Sequence, residues 1–235
     1  MKTRRIISII GLSLALLAEA DGQTAFRREL SIGGSFGMGM STVSFVPKIQ
    51  ENQLLGLQVG ITGRWLTEKN LGLMAEINFS QQGWDEQFDD TQYHYTRRIN
   101  YVDIPIMTHI YFGSGRIRFI FNLGPKVGYA MSEQTTTNVK QDDALPPNNG
   151  EKATILRDKP LENKFAWGIC GGPGIELRTK AGYFILEGRY YYALGDIFHS
   201  KREDPFSMSS SQVIMGKLTY LIPLTKQKKR SPQPL

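Results

Sequence analysis

Two of the three histidines have acidic neighbours, and at these two places residue type and spacing could support chemistry. A histidine oriented by a carboxylate can activate a serine or a water molecule for hydrolysis. Carboxylates that are close in sequence could instead bind a divalent cation. The first set is His94 with Asp85, Glu86, Asp89 and Asp90, and the second is His199 with Asp196, Glu203 and Asp204.

Neither set has a spacing that specifies a reaction or a metal. The carboxylates do not follow the ligand spacing of an EF-hand loop, and a histidine in a polar loop is usually a solvated surface residue. The third histidine, His109, stands in a segment of alternating apolar and polar residues. Cys170 is the sole cysteine, which excludes an internal disulfide bond and a multi-cysteine metal site. The sequence therefore predicts no catalytic residue, no cofactor and no metal site, and we do not expect an enzyme.

The N-terminus has the order of features of an export signal. A basic stretch over residues 2–5 precedes an apolar run over residues 6–18, which is shorter than the about 20 residues that a transmembrane helix needs. The small-residue pattern at 18–20 fits a cleavage site. We predict a signal peptide over residues 1–20, with cleavage after residue 22 as the alternative and a buried N-terminal helix as the competing interpretation.

The charge balance argues against a nucleic-acid partner. The chain has a formal net charge of +6, and removal of residues 1–20 would lower it to about +4. The basic residues are spread along the chain and form no stripe that could follow a phosphate backbone. The one dense basic run lies within residues 226–235, which we expect to form a polar tail.

Eight segments alternate apolar and polar residues with a period of two, as β-strands do. Short turns such as 67–70 and 113–115 alternate with longer loops, of which 132–163 is the longest. This sorting is typical of outer-membrane barrels, whose short turns face the periplasm; both termini, including the tail 226–235, would then lie in the periplasm. The predicted strands are 29–42, 53–66, 70–83, 97–113, 116–131, 164–178, 181–196 and 210–224.

The apolar face of these strands could fill a soluble lipocalin-like barrel or contact lipid. It carries about a dozen large aromatic residues, too many for the narrow interior of eight strands. The opposite face is rich in glycine and alanine, which suit a crowded lumen. We therefore predict an all-β, eight-stranded, antiparallel, up-and-down transmembrane β-barrel over residues 21–225, surrounded by outer-membrane lipid. An aromatic girdle is predicted at Trp65, Phe112, Phe119 and Phe184 near the turns and at Tyr129, Trp167 and Tyr192 near the loops.

The polar face also carries charges of both signs, which would lie inside the barrel. Buried charges are costly unless they are paired and hydrogen-bonded, and opposite signs on neighbouring strands allow such pairing. The set could form a plug or line a path for ions or small solutes, and the plug is favoured because eight-stranded barrels are usually filled. The predicted ion-pair network comprises Arg64, Glu76, Asp103, Arg118, Lys126, Glu176, Glu187, Arg189 and Lys217, with Arg116 as a further lumen candidate.

Five motifs give the chain a more specific resemblance. They are 72–84 (GLMAEINFSQQGW), 100–106 (NYVDIPI), 122–125 (NLGP), 171–176 (GGPGIE) and 187–192 (EGRYYY). With them the chain resembles the PorT-like outer-membrane β-barrel proteins of Bacteroidota-type bacteria over essentially all of its predicted mature length. The resemblance implies insertion by the barrel-assembly machinery and an accessory role in secretion, with a secretion-apparatus or surface protein as partner.

Three functions stay open on the sequence alone. The first is a non-enzymatic barrel with a plugged lumen and a structural, interaction or secretion-accessory role. The second is a narrow, porin-like channel or transporter for small solutes. The third, a barrel enzyme that uses His94 or His199, is disfavoured. The loop 132–163 is either a disordered surface loop or a recognition element.

Overall fold

The computed structural model describes residues 28–46, 51–86, 93–113, 115–138, 160–198 and 207–225, so the predicted signal peptide and the tail 226–235 lie outside it. The described residues form nine β-strands in one antiparallel sheet. None of these residues belongs to a helix that is long and apolar enough to cross a membrane. The strands are β1 (Glu29–Val46), β2 (Glu51–Asn52), β3 (Leu54–Glu68), β4 (Leu71–Glu86), β5 (Tyr95–Phe112), β6 (Ile117–Thr137), β7 (Phe165–Arg178), β8 (Tyr183–Asp196) and β9 (Met208–Pro223).

The sheet closes on itself because β1 pairs with both β3 and β9. Strands β3 to β8 each pair with the long strands before and after them in the chain, and β9 pairs with β8 and β1. The ring therefore contains eight long strands, and the two-residue β2 pairs with the end of β4 beside it. This arrangement confirms the predicted all-β, eight-stranded, antiparallel, up-and-down barrel and adds one short strand to it.

Successive side chains point alternately into the barrel and away from it. In β3, Val59 and Ile61 are exposed on the outside, whereas Gln58, Thr62 and Arg64 are buried inside. The same alternation holds around the ring, so the apolar face lies outside and the charged face inside. An apolar belt around a whole barrel is far larger than the patches that water-soluble monomers expose, and it suits a hydrocarbon environment.

Several strands, most of all β1, β4 and β6, are longer at the loop end than their sequence pattern indicates. The prediction placed the start of a loop at residue 132, but β6 continues to Thr137 and pairs there with the beginning of β5. The end of β4 likewise continues to Glu86, opposite Tyr95. In the extensions of β4 and β6 the outward positions carry polar residues. The sequence there does not alternate between apolar and polar residues, so no period of two can be recognised.

The β3–β4 turn depends on one residue with a left-handed backbone. Asn70 has φ of 72°, a region that asparagine tolerates and that β-carbon sterics make costly for most other residues. We expect Asn70→Ala to lower the free energy of unfolding by about 1 kcal/mol and Asn70→Gly to leave it nearly unchanged. Urea titration of the folded barrel in lipid vesicles measures both variants, and equal losses for alanine and glycine would contradict the explanation.

Candidate functional site

The barrel interior holds the polar residues that could carry function, and it begins with a charged layer at the turn end. This turn-end layer consists of Glu29, Arg64, Arg118, Glu176 and Arg178. Arg64 donates a hydrogen bond to Glu176 and lies 3.4 Å from Glu29. Arg178 lies 3.4 Å from Glu29 and 3.7 Å from Glu176. Because two carboxylates share several cations, the layer connects β1, β3 and β7 across the lumen.

A second, central layer contains Glu76, Glu187, Arg189 and Lys217. The Arg189 guanidinium donates to both Glu76 oxygens at 2.7 and 3.0 Å and to both Glu187 oxygens at 2.9 and 3.0 Å. Lys217 Nζ lies 2.5 Å from Glu76 Oε2. All four residues are buried, and two carboxylates balance two cations. The layer therefore joins β4 to β8 and β9 with no net charge.

The third layer, named here the Asp103 layer, contains Ser80, Gln82, Asp103, Lys126 and Tyr191. Asp103 Oδ2 accepts hydrogen bonds from Ser80 Oγ at 2.6 Å, Lys126 Nζ at 3.0 Å and Gln82 Nε2 at 3.1 Å. The Lys126 ammonium also lies 3.4 Å from the centre of the Tyr191 ring, a cation–π contact. The single carboxylate is thus surrounded by three donors.

Aromatic side chains close the loop end of the interior. This loop-end layer consists of Phe45, Trp84, Phe198 and Arg97. The Trp84 ring packs edge-on against Phe45 and Phe198, with ring centroids 5.4 and 6.5 Å apart. Arg97 lies over the Trp84 and Phe198 rings at 5.5 and 5.6 Å and pairs with Glu133 at 2.6 Å. Apolar packing, capped by one ion pair, covers the charged layers below.

Among the described residues, the free space between the central layer and the Asp103 layer is small. One cavity, of about 10 Å³, lies among Gln58, Asn78, Lys126, Arg189 and Tyr191, and a volume of that size holds about one water molecule. Within the described part of the lumen, layers of paired charges this close together can brace the barrel wall, whereas a passing ion would have to displace several buried pairs.

The predicted network residues all lie on the inner face, and the structure brings them together in three groups. Arg64, Arg118 and Glu176 belong to the turn-end layer, although Arg118 approaches Glu176 only to 4.0 Å. The central layer unites Glu76, Glu187, Arg189 and Lys217, and the third group is Asp103 with Lys126. The expectation for Arg116 is wrong, because this residue is exposed at the β5–β6 turn, before the strand begins.

Several residues of these interior layers escaped the sequence analysis. Glu29 and Arg178 stand at inward-facing positions of the alternating pattern in their strands, and Trp84 follows Ser80 and Gln82 on the inner face. Extending the alternation to the ends of these strands would have identified all three. Phe198 follows β8 outside any regular strand and is fully buried. No periodic signal could have identified Phe198, because its position depends on the path of a connection.

The predicted girdle residues lie on the outer surface in two bands. Phe112, Phe119 and Phe184 are exposed beside the short turns, as is Trp65, and Tyr129, Trp167 and Tyr192 are exposed toward the loops. Phe184 also contacts Tyr220 of the neighbouring strand, with ring centroids 4.9 Å apart. Their role at a membrane interface stays a prediction.

The two described histidines, His94 and His109, lie apart from each other. His109 is buried in the lumen, and its Nδ1 lies 2.7 Å from Asn122 Oδ1. His94 is exposed, and His199 lies outside the described residues. Within the described ranges, no three histidine, cysteine or acidic residues come close enough together to hold a metal ion.

Comparison with known proteins identifies the protein family to which this barrel belongs. Residues 20–199 match the model of a family described as outer membrane protein beta-barrel domain. No curated protein matches the sequence significantly.

Solved structures that resemble the chain include Ail, the attachment invasion locus protein of Yersinia pestis (11% identity, TM-score 0.40, covering 83% of this chain and 99% of that chain). OprG from Pseudomonas aeruginosa is similar at 11% identity and a TM-score of 0.44, covering 82% of this chain and 92% of that chain. Neisserial surface protein A is similar at 8% identity and a TM-score of 0.40, covering 83% of this chain and 99% of that chain. The family match covers most of the sequence, and the chain therefore belongs to the outer-membrane β-barrel protein family.

Proposed function

We propose that this protein is a closed outer-membrane barrel with a structural or interaction role, and not a channel or an enzyme. The observation that carries the proposal is the layered filling of the lumen. The Arg189 guanidinium alone makes four hydrogen bonds to two carboxylates from β4 and β8. An ion that crossed this layer would have to break a buried, fully paired group, which costs several kcal/mol.

The proposal includes export through the signal peptide at residues 1–20 and insertion by the barrel-assembly machinery. It also includes an accessory role in secretion, through a partner in the secretion apparatus or at the cell surface. Support for the secretion role comes from the resemblance of motifs such as 100–106 to the PorT-like proteins. Because the lumen is filled by paired side chains, a partner would engage the rim of the barrel and not its interior.

Planar-bilayer recording tests the closed lumen. We expect the purified wild-type barrel to insert without stable unitary current steps, because the central layer spans the lumen from β4 to β8 and β9. A large porin in the same bilayers serves as the positive control. Stable steps from the wild type that disappear or change size in Glu187→Ala would contradict the proposal and support a narrow channel for small solutes.

A further inference from the structure

The charges of the turn-end layer do not balance, unlike those of the central layer. Its three arginines carry three positive charges, and its two glutamates carry two negative ones. Arg64 donates to Glu176 and lies 3.4 Å from Glu29. Arg178 lies 3.4 Å from Glu29 as well. Arg64 and Arg178 therefore neutralise the two carboxylates, and Arg118 is the excess cation of the layer.

The Arg118 guanidinium is held in position but is not hydrogen-bonded to the carboxylate beside it. It lies over the Tyr111 ring, 4.5 Å from the ring centre. The Glu176 carboxylate approaches its Nη1 only to 4.0 Å, which exceeds the length of a hydrogen bond. The Nε of Arg118 is buried and has no hydrogen-bond partner within the described part of the chain. A buried donor without an acceptor is costly, so a ligand that supplies oxygen acceptors would stabilise this side chain.

A second arginine stands at the same corner of the barrel. Arg116 lies in the β5–β6 turn and is exposed. Its backbone oxygen accepts a hydrogen bond from the Arg178 N–H at 2.7 Å, and Arg118 stands opposite Glu176 two residues further along β6. The ends of β6 and β7 thus bring three arginines together at the turn-end rim. The side chain of Arg118 is 12% exposed there, so a ligand can reach it from the turn end.

The described charges are also sorted by sign along the barrel axis. The turn-end set is Arg28, Glu29, Arg64, Glu68, Lys69, Arg116, Arg118, Glu176, Arg178 and Lys180, and the loop-end set is Glu51, Asp85, Glu86, Arg97, Arg98, Glu133, Glu162, Lys164 and Asp196. Seven basic and three acidic residues give the turn end a net charge of +4, and three basic and six acidic residues give the loop end −3. A surface of one sign raises the local concentration of ions of the opposite sign. The described residues therefore attract anions to the turn end.

We propose that Arg116, Arg118 and Arg178 form a binding site for a phosphate-type dianion at the turn end of the barrel. Guanidinium groups donate pairs of N–H groups in a geometry that matches phosphate oxygens. A dianion is favoured over a single carboxylate because Arg116 and Arg118 bring two positive charges that the glutamates of the layer do not neutralise. A phosphate monoester carries about two negative charges at neutral pH and presents three acceptor oxygens.

The arginine site does not open the barrel. The central layer fills the lumen between this site and the loop end with paired side chains. A bound anion therefore stays at the turn-end mouth. The inference goes beyond the proposed closed barrel and does not depend on it, because anion binding at the mouth and ion passage through the lumen are measured separately.

Titration of inorganic phosphate into the full-length barrel, held in nanodiscs of zwitterionic phosphatidylcholine, tests the site. Binding is followed by calorimetry and by the side-chain Nε–H resonance of Arg118 in NMR spectra. We expect saturable one-site binding of phosphate, with a shift of that resonance. Sulfate, which is also a tetrahedral dianion, should compete, and acetate should bind at least about tenfold more weakly.

Arg118 and Lys69 offer a variant and its matched control. Arg118→Gln leaves two arginines and two glutamates in the turn-end layer, so we expect the barrel to fold, which the heat-dependent shift on gels checks. Its affinity for phosphate should fall by about tenfold or more. Arg118→Lys keeps the charge without the planar fork and should bind with intermediate affinity. Lys69→Gln removes an exposed charge from the β3–β4 turn, where salt screens it, and should change the affinity less than about twofold.

Phosphate chemistry could come from a soluble ligand or from a lipid headgroup, and nanodiscs that contain phosphatidic acid distinguish the two sources. If the headgroup occupies the site, the Arg118 resonance is already shifted and free phosphate no longer titrates it. If the ligand is soluble, the phosphate titration is the same in both kinds of nanodisc. Either result supports the site and identifies its source.

Three results would overturn the inference. They are absence of saturable phosphate binding to the wild type in phosphatidylcholine, unchanged affinity in Arg118→Gln, and an equal loss of affinity in Lys69→Gln. The last result would mean that the general charge of the turn end, and not a defined site, attracts the anion. Acetate binding as tight as that of phosphate would overturn the assignment of a dianion.

Discussion

Replacement of Arg189 by methionine is expected to lower the free energy of unfolding by about 3–5 kcal/mol, the usual cost of removing one partner from a buried ion pair. Arg189 is buried and makes four hydrogen bonds, to Glu76 and Glu187. Glu76 would keep Lys217 as a partner. Glu187 would lose both of its bonds to the guanidinium and stay buried as a carboxylate, and this uncompensated charge causes most of the loss.

A second substitution separates the charge effect from lost packing. The double variant Arg189→Met/Glu187→Gln leaves the neutral pair of Glu76 with Lys217, and it should recover about half of the loss because the two sites are coupled. Arg178→Met is the matched control. Arg178 is 21% exposed at the turn end, and its partly solvated pairs are worth about 1 kcal/mol or less.

Urea unfolding in lipid vesicles, followed by tryptophan fluorescence and by the heat-dependent shift on gels, measures all three variants. If Arg189→Met and Arg178→Met lost the same small free energy, the central layer would not brace the barrel. If the double variant were less stable than Arg189→Met, the unpaired charge would not be the cause.

An arginine introduced on the outer face should also lower the free energy of unfolding substantially, provided that this face contacts lipid. Leu123 is 49% exposed on the outside of β6, between the two bands of aromatic residues. We expect Leu123→Arg to lower the free energy of unfolding by about 2–4 kcal/mol, as charged residues do at the midplane of membrane barrels. The cause is the transfer of a guanidinium from water into hydrocarbon on folding.

Phe119 provides a control on the same strand and the same face. It lies beside the β5–β6 turn and is 64% exposed, so an arginine there could reach the interface. Phe119→Arg should cost about 0–1 kcal/mol. The same urea titration compares the two variants. A Leu123→Arg protein as stable as the wild type, or one that stays monomeric in water without detergent, would refute the lipid-facing assignment.

The period of two along the chain was sufficient to predict most of the fold. Val59 and Ile61 on one face and Gln58 and Thr62 on the other could be assigned without coordinates, because strand geometry alternates side chains whatever the sheet becomes. The order of short turns and long loops predicted the up-and-down ring. The same period placed the nine network residues on the inner face, because each is separated by an even number of residues from the other inward-facing residues of its strand.

The partners of the lumen charges depend on the closed ring and not on local sequence. Arg64 bonds to Glu176 across 112 residues, and Arg189 bonds to Glu76 across 113. No local pattern relates such positions, because they meet only when strand tilt and register set which side chains share a level in the lumen. The alternation predicted Arg116 on the inner face, but β6 begins only at Ile117. Arg116 therefore lies in the β5–β6 turn and is exposed.

The two rim features were also decided by tertiary structure. Phe198 is buried because its connection packs against Trp84 and Phe45, and the sequence around it shows no strand or helix period. The step in the wall above Tyr129 was decided likewise, because the described β6–β7 pairing ends at Tyr129 and Phe165 while the β5–β6 pairing continues to Thr137. The sequence alone determined which side chains face outward and which face the lumen, because that depends on the period of a strand. Only the closed barrel decided which charges pair and how far neighbouring strands extend at the rim, because both depend on the relative heights of strands that are distant in the chain.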